Sequence, residues 1–118
     1  MCGIAIAIGL NGRPIERVAV ERMAKSLLHR GPDDGGIYLD GAVGMGFRRL
    51  SILDLSEAGH QPMVSEDEQY VLVFNGEIFN HIELRRDLER QGHRFYTRSD
   101  TEVIVHLYEQ HGESFVDY

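Results

Sequence analysis

Cys2 combines a reactive side chain with an unusual position, because the chain's single cysteine is its second residue. If Met1 is removed, Cys2 carries both a thiol and a free α-amine. The pKa of an α-amine is about 7.7–8.0, so part of it is neutral at pH 7 and can accept the thiol proton. The position therefore favours nucleophilic catalysis with nucleophile and base on one residue. Retention of Met1 would prevent it, and the alternative is a buried, inert thiol.

Alternating strands and helices are expected to position Cys2. The pattern predicts strands at Met1–Gly9, Ile37–Leu39, Ala42–Arg49, Tyr70–Phe74 and Phe95–Arg98. Asp40-Gly41 is typical of a hairpin turn between the second and third strands. Helices are predicted from Pro14 to Leu28, from the N-cap Asn80 to about Gln91, and from a cap at Ser99 or Asp100 to Gly112. These elements indicate a sheet with helices on at least one face.

The composition excludes several classes of protein. A chain of 118 residues with net charge −7 is expected to form one domain, or part of one, that does not bind nucleic acid. Its longest apolar run, residues 4–10, is too short to span a membrane or to act as a signal peptide, so we expect a cytoplasmic protein. No metal site is expected. The loop around His29 and Arg30 lacks phosphate or metal motifs, and surface or loop positions are predicted for the remaining histidines, 60, 81, 93, 106 and 111.

Six strings in order along the whole chain carry a family resemblance: MCGI at 1–4, HRGPDD at 29–34, RRLSILDL at 48–55, GHQPM at 59–63, NGEIFN at 75–80 and SDTEVI at 99–104. The chain resembles the class II glutamine amidotransferase domain of asparagine synthetases, a group of N-terminal nucleophile hydrolases. This resemblance implies an α+β fold, a four-layer α-β-β-α sandwich. It also implies that residues 1–118 are the first part of that domain, truncated before its later strands. Phe47 and Phe79 depart from residues common in the family.

The resemblance implies a role for Cys2 as the nucleophile that attacks the side-chain amide of glutamine. The Asn75 side chain and the Gly76 backbone N–H match the oxyanion hole, a role that suits two fixed donors after a strand. Taken alone, Asn-Gly is more typical of a plain hairpin turn.

The family's substrate-binding positions are also matched. Arg49 corresponds to the arginine that binds the α-carboxylate of glutamine, which a guanidinium can hold through two hydrogen bonds. Glu77 and Asp100 correspond to the groups that receive the α-ammonium. From the residues alone, Arg49 could instead be a solvated strand end and Asp100 a helix cap. The stretch that lines the glutamine pocket corresponds to Leu50, Ser51 and Ile52.

The implied function is glutamine hydrolysis that releases ammonia for an ATP-dependent synthetase domain. No cofactor is expected for the glutaminase half, whereas ATP and Mg²⁺ are implied for the absent pyrophosphatase-type domain. L-glutamine and that domain are the expected partners. A homodimer is possible because a truncated sandwich should expose apolar sheet surface. Two alternatives stay open: a non-catalytic interaction domain, and the amidotransferase half of a biosynthetic-cluster enzyme whose acceptor is not aspartate.

Overall fold

The computed structural model describes residues 2–51 and 59–118, which form an α+β structure. Its strands are β1 (Gly3–Ile8), β2 (Asp34–Asp40), β3 (Val43–Arg49), β4 (Met63–Val64) and β5 (Val71–Leu72). The α-helices are α1 (Arg17–Ser26), α2 (His81–Arg90) and α3 (Glu102–His111), with short 3₁₀ helices at Leu10–Gly12 and Gly112–Asp117. In the described residues, no helix is long and apolar enough to cross a membrane.

The described residues divide into two compact units. The amino-terminal unit contains residues 2–51 and 60–75, and the carboxy-terminal unit contains residues 59 and 76–118. β1 to β5 and α1 belong to the first unit, and α2 and α3 belong to the second.

The main sheet of the amino-terminal unit is antiparallel, with β3 between β1 and β2. Small residues line the face that α1 covers, since Ala5 on β1 pairs with Gly46 on β3. A Cβ atom on Gly44 would lie 2.6 Å from Val20 Cγ2, and one on Gly46 would lie 3.0 Å from Ala24 Cβ. The helix can therefore approach the sheet closely only because these positions lack side chains.

The other face of this sheet is apolar and partly uncovered. Ile4, Ile6 and Ile8 alternate along β1 and are 37%, 48% and 68% exposed, whereas Phe47 on β3 is fully buried. The apolar sheet surface predicted from the sequence is therefore present among the described residues. Dimerisation through such a surface stays a prediction.

In the carboxy-terminal unit, α2 packs on α3. Leu88 and Val103 are fully buried there, and every residue from 102 to 107 of α3 is buried. α3 ends where Gly112 takes a positive φ of 58°, the predicted stop signal. α2 likewise begins directly after Asn80 and ends before Gly92, as predicted.

Three predicted elements differ from the structure. α1 begins at Arg17 rather than Pro14, because the chain stays extended while the Ile15 N–H donates to the carbonyl of Gly41 at 2.9 Å. The predicted strand 70–74 is reduced to Val71–Leu72. Residues 95–98 form no strand, since the backbone N–H groups of Tyr96 and Thr97 donate to a side chain instead.

Candidate functional site

The sulfur of Cys2 is fixed by the backbone of one residue. The Leu50 N–H donates to Cys2 Sγ at 3.4 Å, and Sγ lies 3.8 Å from the Leu50 carbonyl, which can accept the thiol proton. The strand register brings these groups together, because Gly3 pairs with Arg48 and places Cys2 beside the end of β3. The thiol is only partly buried. Met1 lies outside the described residues, so the free amine of the nucleophile hypothesis stays a prediction.

Arg30 fixes the backbone of Cys2, a role that the sequence analysis missed. Its Nε donates to the Cys2 carbonyl at 3.0 Å. The loop that carries Arg30 is held in turn by Arg48, whose Nε donates to the Gly31 carbonyl at 2.8 Å. Arg30 and Cys2 are 28 residues apart, so no local spacing could reveal this contact.

Arg49 is buried, with 8% of its surface exposed, so the interpretation as a solvated strand end is wrong. Its carbonyl accepts the Asp33 N–H at 3.0 Å, and its strand partner is Asp34. Arg49 is thus a buried arginine at the end of β3, the strand that ends beside Cys2. The predicted pocket residue Leu50 is described above, whereas Ile52 lies outside the described residues.

Asn75 ends the amino-terminal unit and is exposed, and Gly76 and Glu77 begin the carboxy-terminal unit and are also exposed. The chain continues from Gly76 through a loop into α2, and within residues 76–118, all of which the structure describes, no strand returns along β5. The plain hairpin interpretation of Asn75-Gly76 is therefore wrong. The Phe74 N–H just before them donates to the Gln61 side-chain oxygen.

Asp100 is buried, and its carboxylate holds the loop that follows Gly76. Asp100 Oδ2 accepts the Ile78 N–H at 2.8 Å. Thr101 occupies the N-cap position of α3, and its side chain makes no capping hydrogen bond. The helix-cap interpretation of the Asp100 side chain is therefore wrong, and within this unit Asp100 lies against the residue next to Glu77.

Glu102 is a second buried carboxylate that the sequence analysis missed. It accepts the backbone N–H of Tyr96 at 2.7 Å and both the N–H and the hydroxyl of Thr97, at 2.8 and 2.7 Å. Burial raises the pKa of Glu102, but the imidazole of His106 and these hydrogen bonds outweigh burial and hold the pKa below its usual value. The carboxylate therefore fixes residues 96–97 against the start of α3.

The prediction that the later histidines are surface or loop residues is wrong for His106. This helix residue is buried, and its imidazole contacts His93 and Glu109. Burial lowers the pKa of His106, but the carboxylates of Glu102 and Glu109 outweigh burial and raise it above its usual value. His93 and His106 are far apart in sequence, so no local spacing could reveal the contact.

Comparisons with known proteins agree with the resemblance. The profile of the glutamine amidotransferase domain matches residues 1–118. The asparagine synthetase [glutamine-hydrolyzing] of Brassica oleracea is 47% identical over 99% of this chain and 20% of its own length. Asparagine synthetase [glutamine-hydrolyzing] 1 of Bacillus subtilis is 46% identical over 96% of this chain and 18% of its own. The chain thus spans about a fifth of the length of these relatives.

Proposed function

This chain belongs to the glutamine amidotransferase domain family, and on that premise we propose that it hydrolyses the side-chain amide of L-glutamine to ammonia and glutamate. The observation that carries the proposal is the position of Cys2. Its partly exposed sulfur is held by the Leu50 backbone while Arg30 fixes its carbonyl. A nucleophile needs such fixed orientation, because a misplacement of about 1 Å can cost about 100-fold in rate.

Once Met1 is removed, the α-amine of Cys2 takes the thiol proton and the sulfur attacks the amide carbon. The carbonyl oxygen becomes an oxyanion, which the Asn75 side-chain amide and the Gly76 N–H stabilise. When the carbon–nitrogen bond breaks, the proton on the amine passes to the leaving nitrogen and ammonia departs. Water then attacks the γ-glutamyl thioester, releasing glutamate and regenerating the thiol.

Glutamine is a zwitterion, so its binding requires both a cation and an anion. Arg49 binds the α-carboxylate in this proposal, and its burial supports the role because the attraction between charges is stronger away from water. Asp100 and Glu77 receive the α-ammonium. Their proximity along the Gly76–Ile78 loop, which Asp100 binds at Ile78, supports a common site. The remaining pocket is assigned to Leu50 and Ile52.

The wider architecture is proposed from the same family membership. Residues 1–118 form the first part of a four-layer α-β-β-α sandwich, and the exposed isoleucines of β1 supply the face on which a second sheet packs. The ammonia passes to a synthetase domain that uses ATP and Mg²⁺. The matched relatives are named as glutamine-hydrolysing asparagine synthetases, which supports aspartate as the acceptor.

The proposal is tested by incubating the protein, with Met1 removed as verified by intact mass, with L-glutamine and measuring ammonia and glutamate together. Cys2→Ala should abolish release of both, whereas Ser26→Ala, a change at an exposed position of α1, should leave it unchanged. Protein that retains Met1 should also be inactive, since it lacks the amine base. Equal turnover by Cys2→Ala and the unchanged protein would show that the thiol is not the nucleophile.

A further inference from the structure

The carboxy-terminal unit holds a group of side chains that glutamine hydrolysis does not use. His93 lies after α2, and His106 and Glu109 lie one turn apart on α3. We propose that His93, His106 and Glu109 form a zinc site. We name these three residues the His93 cluster.

The distances within the His93 cluster fit a single ion. His93 Nδ1 lies 3.2 Å from His106 Nδ1, His106 Nδ1 lies 2.9 Å from Glu109 Oε2, and Glu109 Oε2 lies 3.5 Å from His93 Nδ1. Ligands at about 2.0–2.1 Å from a tetrahedral zinc ion are about 3.3 Å apart. The three sides of this triangle bracket that length, so an ion about 2.0–2.1 Å from all three atoms would require little movement of the ligands.

The outer ring nitrogens fix the state of the inner ones. His93 Nε2 lies 3.1 Å from Gln110 Oε1, an acceptor, so a ring proton on Nε2 would donate to Gln110 and leave the Nδ1 lone pair directed at the cluster. The buried His106 Nε2 makes no hydrogen bond to a described residue, and it faces Glu102 Oε1 at 3.6 Å. A proton there points at a carboxylate and leaves His106 Nδ1 as a second lone pair. Imidazoles that bind metals have this arrangement of outer partners.

These two tautomers place two lone pairs and a carboxylate oxygen at one point. Without a cation, a proton on His106 Nδ1 joins this ring to Glu109 by the 2.9 Å hydrogen bond. A divalent ion would replace that proton and be bound by all three atoms. Two imidazoles and one carboxylate are a ligand set common in zinc sites with three protein ligands, in which water takes the fourth position. The ion would join the segment after α2 to α3.

The test is a titration of chelator-treated protein with Zn²⁺ against a chromophoric competitor, together with metal analysis after dialysis. It is run on the Cys2→Ala variant, so that the thiol cannot supply a ligand. We expect one equivalent to bind. Because changes to outer partners alone cost about 10–100-fold in metal affinity, His93→Gln and Glu109→Gln should each cost more than about 100-fold.

The matched control is His111→Gln, which makes the same His-to-Gln change at the last residue of α3, outside the His93 cluster. His111 stacks on Tyr118 and touches none of the three ligands. The His111→Gln variant should bind Zn²⁺ with the same affinity as the Cys2→Ala protein in which it is made. Circular dichroism verifies that each variant is folded, and both test positions lie at the edge of the core, where polar substitution is tolerated. Absence of saturable binding, or equal affinity in His93→Gln and His111→Gln, would overturn the proposal. These zinc-binding results do not test glutamine hydrolysis, which is proposed to occur at Cys2.

Discussion

The two units position their key atoms by different physical means. In the amino-terminal unit, backbone register and close packing contribute most: the Leu50 backbone just after β3 holds the Cys2 sulfur, Arg30 holds the Cys2 carbonyl, and glycines bring α1 onto the sheet. In the carboxy-terminal unit, buried carboxylates do so: Asp100 and Glu102 each accept backbone N–H groups from a loop. The Cys2 sulfur thus contacts neutral backbone groups, whereas two loops of the carboxy-terminal unit are held by charged acceptors.

The strongest test of the packing in the amino-terminal unit removes the largest fully buried side chain of that unit. Phe47→Ala should lower the free energy of unfolding by about 3–5 kcal/mol, because it deletes a buried ring and leaves a cavity beside β1. Phe79→Ala is the matched control, since Phe79 is 90% exposed and should change stability by no more than about 0.5 kcal/mol. Urea denaturation followed by circular dichroism measures both. Equal losses of stability in the two variants would show that the packing of Phe47 on β3 does not stabilise the amino-terminal unit.

The role of the buried carboxylates in the carboxy-terminal unit is tested at Glu102. Glu102→Gln should cost about 1.5–3 kcal/mol, because an amide NH₂ replaces one of the two oxygens and meets a backbone N–H of Tyr96 or Thr97 that then has no acceptor. Glu113→Gln makes the same change at an exposed position and should be nearly neutral. Hydrogen exchange adds a local measurement, in which the amides of residues 96 and 97 should lose protection. If their protection is unchanged, the carboxylate does not hold this segment.

The contact between α1 and the sheet is tested at Gly44. A Cβ at this position would lie 2.6 Å from Val20 Cγ2 and 2.8 Å from Ile15 Cγ2, so Gly44→Ala should cost about 1–3 kcal/mol through overpacking. Adding Val20→Ala relieves one of these clashes. In a double-mutant cycle the two changes should therefore cost less together than the sum of their separate costs. Strict additivity would indicate that α1 does not press on Gly44.

Features of the fold that depend on local signals could be predicted from the sequence, whereas those that depend on side chains of another segment could not. The hairpin of β2 and β3 was predictable because Asp40-Gly41 is a local turn signal, and Gly112 marks the end of α3 for the same reason. The segment 95–98 has the residues of a strand, but Glu102 takes its N–H groups, and no local pattern reports that competition.

In the candidate site, too, some features could be predicted from the sequence and others depend on distant contacts. The identities of Cys2, Arg49 and Asp100 were predicted from family strings, and the structure adds that Arg49 and Asp100 are buried. The anchoring role of Arg30 and the approach of His93 to His106 depend on contacts between residues distant in sequence. Such contacts follow from the packed fold, so spacing within one segment cannot predict them.

Asp100→Asn separates the structural role of a carboxylate from its proposed role in binding, and it has the smallest expected effect on stability. Asparagine keeps a side-chain oxygen that can accept the Ile78 N–H, so the free energy of unfolding should fall by less than about 1 kcal/mol. The neutral amide cannot balance the α-ammonium of glutamine. Loss of a charge-assisted hydrogen bond worth about 1.5–3 kcal/mol should therefore raise KM for glutamine about 10–100-fold.

Steady-state ammonia release by Met1-processed protein measures the KM of Asp100→Asn, and kcat should change much less because the change leaves Cys2, Asn75 and Gly76 in place. Asp117→Asn, at an exposed position of the same unit, is the matched control. A large loss of stability with an unchanged KM would assign Asp100 to the loop alone. The carboxy-terminal unit would then use its carboxylates only to build its structure, and the α-ammonium would have to be bound by Glu77.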